Sequence, residues 1–202
     1  MNLIPAILLT AGKSERMGTC KQLLPFQGKP LLAHLLDTLT SVPEISPIVV
    51  VTGHFKEELA PLLGEYNAIA VPNPDYAEGG MLSSIQAGVR ALPAGCSGFL
   101  LLLGDQPFVT SEVLNALIAA SQAHNAPIFQ PSYEGRRGHP VLFRASCIPE
   151  ILALPTTATL KTLTTRHSNT IQTVPLSQPA LLRDIDTPEE YQAALRLWQQ
   201  QR

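Results

Sequence analysis

An alternation of short apolar runs and amphipathic segments constrains the fold of this chain more than any other feature. Residues 4–9, 48–52, 68–71 and 99–103 are nearly continuous in Ile, Leu and Val, as expected of strands covered on both faces. Between and after them, apolar residues recur at helical spacing in residues 30–39, 56–63, 82–92 and 112–123. Repeated strand–helix units predict an α/β fold, with a mostly parallel sheet and helices on both of its faces.

The remainder of the chain continues this pattern less regularly. Residues 140–143 and 170–174 are candidate strands, and residues 158–166 form a candidate helix. Thr187, Pro188 and Glu190 combine a capping threonine, a first-turn proline and a glutamate three positions after the cap, which predicts the start of a last helix. Because we find no linker or repeat, we expect one domain over residues 1–202.

Composition narrows the classes of partner. The net charge is -2, so the chain lacks the basic surface that binding to nucleic acid requires, whereas single nucleotides remain open. The three cysteines are widely spaced, without a CxxC pair, and suit a reducing compartment. We find neither a signal peptide nor an apolar run near the ~20 residues of a membrane span. The expected location is cytoplasmic, without membrane contact.

A glycine-rich basic loop follows the first predicted strand, at the strand end where open α/β sheets bind ligands. Small residues there let backbone N–H groups approach a phosphate, and Arg16 and Lys21 add positive charge suited to a triphosphate. The sequence Gly12-Lys13-Ser14 imitates the end of a P-loop, but that motif needs glycine where Ile7 stands. An ordinary mobile loop is the alternative at this point.

Two acidic segments are candidates for holding a cation. Asp105 follows a buried strand in the motif Gly-Asp-Gln-Pro, and Asp184 and Asp186 precede the last helix. Asp105 and Asp186 together would suit Mg²⁺, which takes one or two carboxylates plus substrate phosphates and water. Each aspartate has an alternative role, since Asp105 suits a turn and the other two suit the positive end of the following helix.

Two further segments are candidates for binding substrate. The segment NPDYAEGGMLSS, residues 73–84, contains turn chemistry before a helix predicted to start near Ser83, and its N–H groups and hydroxyls suit base, ribose or phosphate. Residues 136–140, RRGHP, form a basic turn suited to an anionic acceptor. A helix cap and a plain surface loop are the respective alternatives.

Taken together, these motifs resemble the MobA-like NTP transferase family, and most closely its molybdenum cofactor cytidylyltransferase (MocA-like) branch. The resemblance lies in LTAGKSERMGTCKQLLPFQGKPLL, GDQP, GRRGHPVLF and DIDTPEEY, in family order across nearly the whole chain. It implies a Rossmann-like three-layer sandwich with a small antiparallel element. It also implies transfer of CMP from CTP to molybdopterin, with Mg²⁺ and with release of pyrophosphate.

The resemblance assigns roles to particular residues. Arg16 and Lys21 would bind and polarise the triphosphate, Asp105 and Asp186 would bind Mg²⁺, and His139 would lie near the acceptor. Arg16, Lys21 and Asp105 form the expected catalytic set. The base and ribose would be held by the backbone of the first loop and by the turn before the third helix, namely Leu9, Thr10, Ala11, Gly12, Gly80 and Ser83. We also expect a transient contact with a molybdoenzyme or its chaperone.

The choice of base and acceptor stays open at this point. Where the guanylyltransferase branch has LAGG, this chain has Leu9-Thr10-Ala11-Gly12, and the methyl group of Ala11 is expected to favour cytosine over a purine. Thr10 departs from the alanine typical of the branch. The alternatives are a GTP-using molybdopterin guanylyltransferase, a nucleotidyltransferase for a sugar phosphate, and a non-catalytic nucleotide-binding accessory protein of molybdoenzymes.

Overall fold

The computed structural model describes residues 3–155, 157–176 and 184–200. Within these residues the strands are β1 (Ile4–Leu9), β2 (Pro25–Phe26), β3 (Lys29–Pro30), β4 (Ile45–Thr52), β5 (Ile69–Pro72), β6 (Gly98–Leu103), β7 (Ile128–Tyr133), β8 (Arg136–Arg137), β9 (Val141–Arg144) and β10 (Gln172–Pro175). The α-helices are α1 (Leu31–Thr40), α2 (Lys56–Glu65), α3 (Gly80–Arg90), α4 (Ser111–Ala123), α5 (Cys147–Ala153), α6 (Leu160–Arg166) and α7 (Pro188–Gln200). The predicted alternation of strands and helices is confirmed.

The main sheet is mixed, with the strand order β10-β7-β9-β6-β1-β4-β5 and β8 paired with β7. Strands β6, β1, β4 and β5 pair in parallel, as does β10 with β7. Strand β9 runs antiparallel to both of its neighbours, β6 and β7. A separate hairpin of β2 and β3 precedes α1. The predicted sheet, mostly parallel with a small antiparallel element, is confirmed.

Helices cover both faces of the sheet and bury two apolar layers. One layer packs Leu8, Val50 and Leu102 against α1, α2 and α4. The other packs Ile7, Val51 and Leu101 against α3, α5 and α6. Neighbouring residues of a strand point to opposite faces, so a continuous apolar run supplies both layers at once. The three-layer α/β sandwich therefore follows from the apolar runs.

The expectation of burial on both faces is wrong for β5. This strand lies at the edge of the sheet, its four residues are exposed or only partly buried, and Ile69 is 47% exposed. Hydrophobicity alone did not distinguish an edge strand from a central one, because the difference is made by the neighbours and not by the strand. Sequence reasoning also left β7 and α5 unassigned and placed the start of α3 at residue 82, two residues after its actual start.

The last helix begins as predicted. The N–H of Glu190 donates to Thr187 Oγ1 at 3.2 Å, and the Glu190 carboxylate accepts the N–H of Thr187 at 3.0 Å and of Asp186 at 2.8 Å. Helix α7 then packs Trp198 edge-to-face on Phe26 of the β2–β3 hairpin. This reciprocal cap fixes where the helix starts, and therefore where the chain just before it lies.

None of the helices in the described part of the chain has both the length and the apolar composition that a membrane span needs. The expected cytoplasmic location and the single domain over residues 1–202 stay predictions.

Candidate functional site

The loop after β1 is locked to the sheet edge by close backbone packing. The N–H and the hydroxyl of Thr10 both donate to the carbonyl of Val51 at 2.9 Å. A Cβ at Gly53 would lie 2.4 Å from the Ala11 carbonyl oxygen, and one at Gly104 would lie 2.9 Å from the Leu9 carbonyl oxygen. Only glycine permits such close approach at both positions. The loop therefore packs closely between the carboxyl ends of β4 and β6.

Four charged side chains from three distant parts of the chain meet beside this loop. Lys21 Nζ lies 2.6 Å from Asp105 Oδ2 and 2.6 Å from Asp186 Oδ1. The guanidinium of Arg16 lies 2.6 Å from Asp186 Oδ2. The structure therefore brings together the two cations and the two carboxylates that the sequence singled out, although they are up to 170 positions apart.

Burial and charge act in opposite directions on this cluster. Burial lowers the pKa of Lys21, but Asp105 and Asp186 outweigh it, so the pKa of Lys21 is raised from its ordinary value. Burial raises the pKa of Asp105, and Lys21 offsets it only in part. The pKa of the more exposed Asp186 is lowered, because Lys21 and Arg16 together outweigh its desolvation. The cluster is thus a set of ion pairs in which Asp105 is the less solvated of the two carboxylates.

The donor set fits a hard divalent cation. Asp105 and Asp186 contact the same ammonium nitrogen, so their nearest oxygens lie no more than twice 2.6 Å apart. Oδ1 of Asp105 is buried and has no hydrogen-bond partner among the described residues. Carboxylate oxygens are the protein ligands that Mg²⁺ prefers, usually one or two of them. Two carboxylates with an unused oxygen therefore suit Mg²⁺, provided that the ammonium group of Lys21 moves to the phosphates.

Two adjoining cavities surround the cluster. The first, of about 270 Å³, is lined by the loop of residues 9–12, by Gly80, Met81 and Ser84 at the start of α3, and by Lys21 and Asp105. The second, of about 500 Å³, is lined by residues 12–16, Lys21 and Asp186. Gly12, Lys21 and Tyr76 border both. One polar, positively charged space thus adjoins a narrower and more apolar one, which suits a triphosphate attached to a base and ribose.

Ser83 was expected to contact the base or ribose, but it does not line the cavity formed by residues 9–12. It lines a neighbouring cavity on the other side of the turn, whereas Ser84 lines the cavity shared with residues 9–12. The Ser83 hydroxyl accepts from Asn73 Nδ2 at 2.8 Å and donates to the Gly80 carbonyl at 2.9 Å. Gly80 borders the cavity with the positive φ of +59° that a tight turn requires. Ser83 thus supports the turn that presents Gly80.

His139 precedes β9 by two residues and lies near enough to Asp105 and Asp184 for their charges to act on its imidazole. Burial lowers its pKa, and a hydrogen bond with the Leu101 backbone together with the negative charges of Asp184 and Asp105 offsets this only in part. Its Nδ1 is buried without a hydrogen-bond partner among the described residues. Arg136 and Arg137 lie on the exposed strand β8. The imidazole is therefore neutral near pH 7 and presents an unused polar atom close to the carboxylates.

Several residues of the site were missed from the sequence. Gly53 and Gly104 confine the loop, Tyr76 borders both cavities, and Met81 is exposed over 57% of its surface at the cavity wall. Gln106 lies in the motif Gly-Asp-Gln-Pro, but the sequence suggested no role for it. In the structure its side-chain amide donates to Asp184 Oδ1 at 2.6 Å. Gly53 and Gly104 carried a signal, because each directly follows a predicted strand at the ligand-binding edge. Tyr76 and Met81 lie within the segment 73–84, which the sequence had marked as a candidate for substrate binding without naming these two residues.

A loop at the carboxyl ends of parallel strands, with two cations, two carboxylates and a two-part cavity, defines a site for a nucleoside triphosphate. Residues 6–171 match the model of the MobA-like NTP transferase domain. The chain therefore belongs to the MobA-like NTP transferase family and is a nucleotidyltransferase of that family. The predicted family is confirmed.

Individual relatives agree with the family model. The molybdenum cofactor cytidylyltransferase of Escherichia coli is 27% identical over 95% of both chains. The purine catabolism protein PucB of Bacillus subtilis is 30% identical over 94% of this chain and 95% of that protein. The crystal structure of Rv0371c from Mycobacterium tuberculosis superposes with a TM-score of 0.85 and 25% identity, covering 96% of this chain and 98% of the other. The similarity thus extends along the whole chain and not only over the loop motifs.

Proposed function

We propose that this protein transfers CMP from CTP to molybdopterin, in the presence of Mg²⁺, and releases pyrophosphate. The observation that carries the proposal is the bridging position of Lys21 between Asp105 and Asp186 at the mouth of the base-sized cavity. The similarity to the molybdenum cofactor cytidylyltransferase of E. coli supports the choice of nucleotide and acceptor.

In this reaction an oxygen of the acceptor phosphate attacks the α-phosphorus of CTP, and the bond to the bridging oxygen of the β-phosphate breaks. Such a displacement requires alignment and charge neutralisation more than an acid or a base. Lys21 has three N–H donors and uses two of them on carboxylates, and the described contact of Arg16 uses one of its five. Both side chains therefore have N–H donors to offer to the triphosphate oxygens.

Asp105 and Asp186 would hold Mg²⁺, which neutralises phosphate charge when bound and orients the leaving pyrophosphate. Asp105 lines the narrower cavity and Asp186 the wider one, so the two aspartates would hold the cation between the side of the base and the side of the phosphates. Lys21 separates the carboxylates and keeps their mutual repulsion low until substrate and cation arrive together.

The base is expected to lie in the narrower cavity, against the backbone of residues 9–12 and the turn at Gly80. Ala11 is 5% exposed, and a Cβ at position 53 would lie 2.9 Å from its methyl group, so this methyl packs towards Gly53. Selection of cytosine would then act through the position of the loop backbone as well as through the methyl group. The hydroxyl of Thr10 donates to Val51, which assigns this departure from the branch pattern to loop support.

The acceptor is expected on the side of His139 and the β8 hairpin. His139 supplies a neutral imidazole, and the exposed Arg136 and Arg137 supply charge for an anionic molecule. A single domain over residues 1–202 and a transient contact with a molybdoenzyme or its chaperone belong to the same proposal.

The test is a pyrophosphate-release assay with CTP, GTP or ATP, with molybdopterin as the acceptor, and with Mg²⁺ present or removed by EDTA. We expect release with CTP, Mg²⁺ and acceptor together, and little without any one of them. A clear preference for GTP would refute the assignment of the base, and release with a sugar phosphate in place of molybdopterin would refute that of the acceptor. Nucleotide binding without release under every condition would identify an accessory protein instead.

A further inference from the structure

Two hydrogen bonds hold the chain around Asp186 against the loop that carries Asp105. The N–H of Ile185 donates to the backbone carbonyl of Asp105 at 3.1 Å. The side-chain amide of the next residue, Gln106, donates from Nε2 to Asp184 Oδ1 at 2.6 Å. The first bond is made by the residue just before Asp186, and the second is made by the residue just after Asp105. The two segments are therefore joined next to both site aspartates.

Packing alone would not favour a glutamine at the buried position 106, and charge alone would not favour an aspartate at position 184. Gln106 is buried, 5% exposed, although burying an amide is unfavourable unless it is hydrogen-bonded. Asp184 adds a third carboxylate beside two others, and its charge is among the causes that raise the pKa of Asp105. A bond from a neutral donor to a carboxylate offsets part of the desolvation of the amide and holds the Asp184 carboxylate against Gln106.

Geometry links this bond to the reactive carboxylates. Ile185 is 1% exposed and packs in the cluster of Phe26 and Phe108, so the backbone between Asp184 and Asp186 passes through an apolar anchor. Neighbouring side chains of an extended segment point in opposite directions. Fixing Asp184 on one side and Ile185 in the core therefore sets the position from which Asp186 reaches Lys21 and Arg16.

We propose that Gln106 and Asp184 form a positioning clamp, which holds Asp186 within reach of Lys21 and so assembles the site for the transfer reaction. This rests on the proposed function for its role in the reaction, but the clamp itself is a property of the free protein. Neither residue needs to touch substrate, so both are positioning residues and not catalytic ones.

The clamp can be reversed by exchanging its donor and acceptor. Gln106→Glu places two carboxylates against each other and breaks the bond. Asp184→Asn keeps an acceptor oxygen and removes only the charge. In the double variant Gln106→Glu/Asp184→Asn, the amide of residue 184 donates to the carboxylate of residue 106, and the total charge equals that of the wild type.

The direct measurement is hydrogen exchange of the Ile185 backbone amide, followed by NMR in the free protein. We expect exchange roughly tenfold faster or more in Gln106→Glu, since a hydrogen bond to a charged group is lost there. The double variant should return to near the wild-type rate. The Asn73 N–H, which donates to the Thr52 carbonyl at 2.8 Å near the far edge of the sheet, is the control and should not change. Wild-type exchange at Ile185 in Gln106→Glu would overturn the clamp.

Turnover of the same variants tests the role in the reaction. We expect kcat to fall with Gln106→Glu and to recover in the double variant, because the double variant restores both the hydrogen bond that positions Asp186 and the total charge. Unchanged kcat in Gln106→Glu, or no recovery in the double variant, would overturn the positioning role. If Gln106→Glu fails to fold, Gln106→Met removes the donor without adding charge, and its exchange and kcat decide instead. A wild-type protein without any transferase activity would refute the proposed function and leave the exchange result standing.

Discussion

Lys21 is bonded to both carboxylates of the site, so its removal acts on substrate binding and on the resting cluster together. We expect Lys21→Met to lower kcat by roughly 10²–10³-fold, the usual effect of deleting one group that stabilises transition-state charge. Asp105→Asn should lose activity comparably, while both proteins keep the wild-type circular dichroism. Near-normal turnover in a pyrophosphate-release assay would contradict the role of either residue.

Thr10 differs from the residue typical of the cytidylyltransferase branch that the chain resembles, and its contacts explain the difference in structural terms. Its hydroxyl is buried and donates to Val51, so Thr10→Val removes one hydrogen bond and keeps the shape of the side chain. We expect a loss of about 1 kcal/mol in the free energy of unfolding and a fall of roughly 2–4 °C in Tm. The ratio of turnover with CTP to that with GTP should stay unchanged, and a shifted ratio would show that Thr10 reads the base.

The cap of α7 has two structural roles. Glu190 accepts from both Thr187 and Asp186, so it fixes the helix start and the backbone of a site residue together. We expect Glu190→Ala to cost about 1 kcal/mol of unfolding free energy and to raise KM for the nucleotide. Glu189→Ala, in the same helical turn, is the matched control. Equal KM values for the nucleotide in the two variants would show that the cap does not influence nucleotide binding.

Helix α1 carries a pH-dependent contribution to stability at His34. Its Nε2 donates to the Phe26 carbonyl at 2.6 Å, and burial lowers the pKa of the imidazole below its ordinary value of 6.5. The unfolded chain therefore binds a proton here at higher pH than the folded protein does. Stability contributed by neutral His34 is fully present above pH 6.5 and is lost as the pH falls below it.

Urea denaturation of the wild type and of His34→Gln measures this contribution. Glutamine keeps an N–H donor for Phe26 but does not titrate. The loss of unfolding free energy between about pH 7 and about pH 5 should be smaller in the variant. Identical losses in both proteins would rule out His34 as the source.

The whole molecule should respond to its ligands by mass action. We expect CTP with Mg²⁺ to bind at the carboxyl ends of the parallel strands. At a free CTP concentration of a hundred times Kd, the free energy of unfolding should then rise by about 2.7 kcal/mol, and Tm should rise with it. GTP and ATP should raise Tm less, and EDTA should abolish most of the shift. A single calorimetric transition that moves as one unit would support the single domain, whereas two transitions moving independently would contradict it.

Sequence periodicity was a good guide to this fold where the apolar runs were central. Strand β1 occupies the predicted residues, and α1, α2 and α4 begin within one residue of their predicted starts. The strand β5 was predicted but its position at the edge of the sheet was not, and Gln106 was given no role. In both cases the decisive information is the identity of a spatial neighbour, which no pattern within the segment itself contains.

Local sequence patterns were enough to predict the order of the central strands and of most helices, the two-sided core, the cap of α7 and the set of charged residues for a nucleotide. These depend on local periodicity, on capping chemistry and on which residues follow a strand. The folded chain was needed to see that Lys21 bridges Asp105 and Asp186, that Ser83 supports its turn, and that Gln106 holds Asp184. The physical reason is that hydrogen bonds and ion pairs act over a few ångströms, whereas the partners here are up to 165 positions apart, so packing of the sheet and α7 had to bring them together.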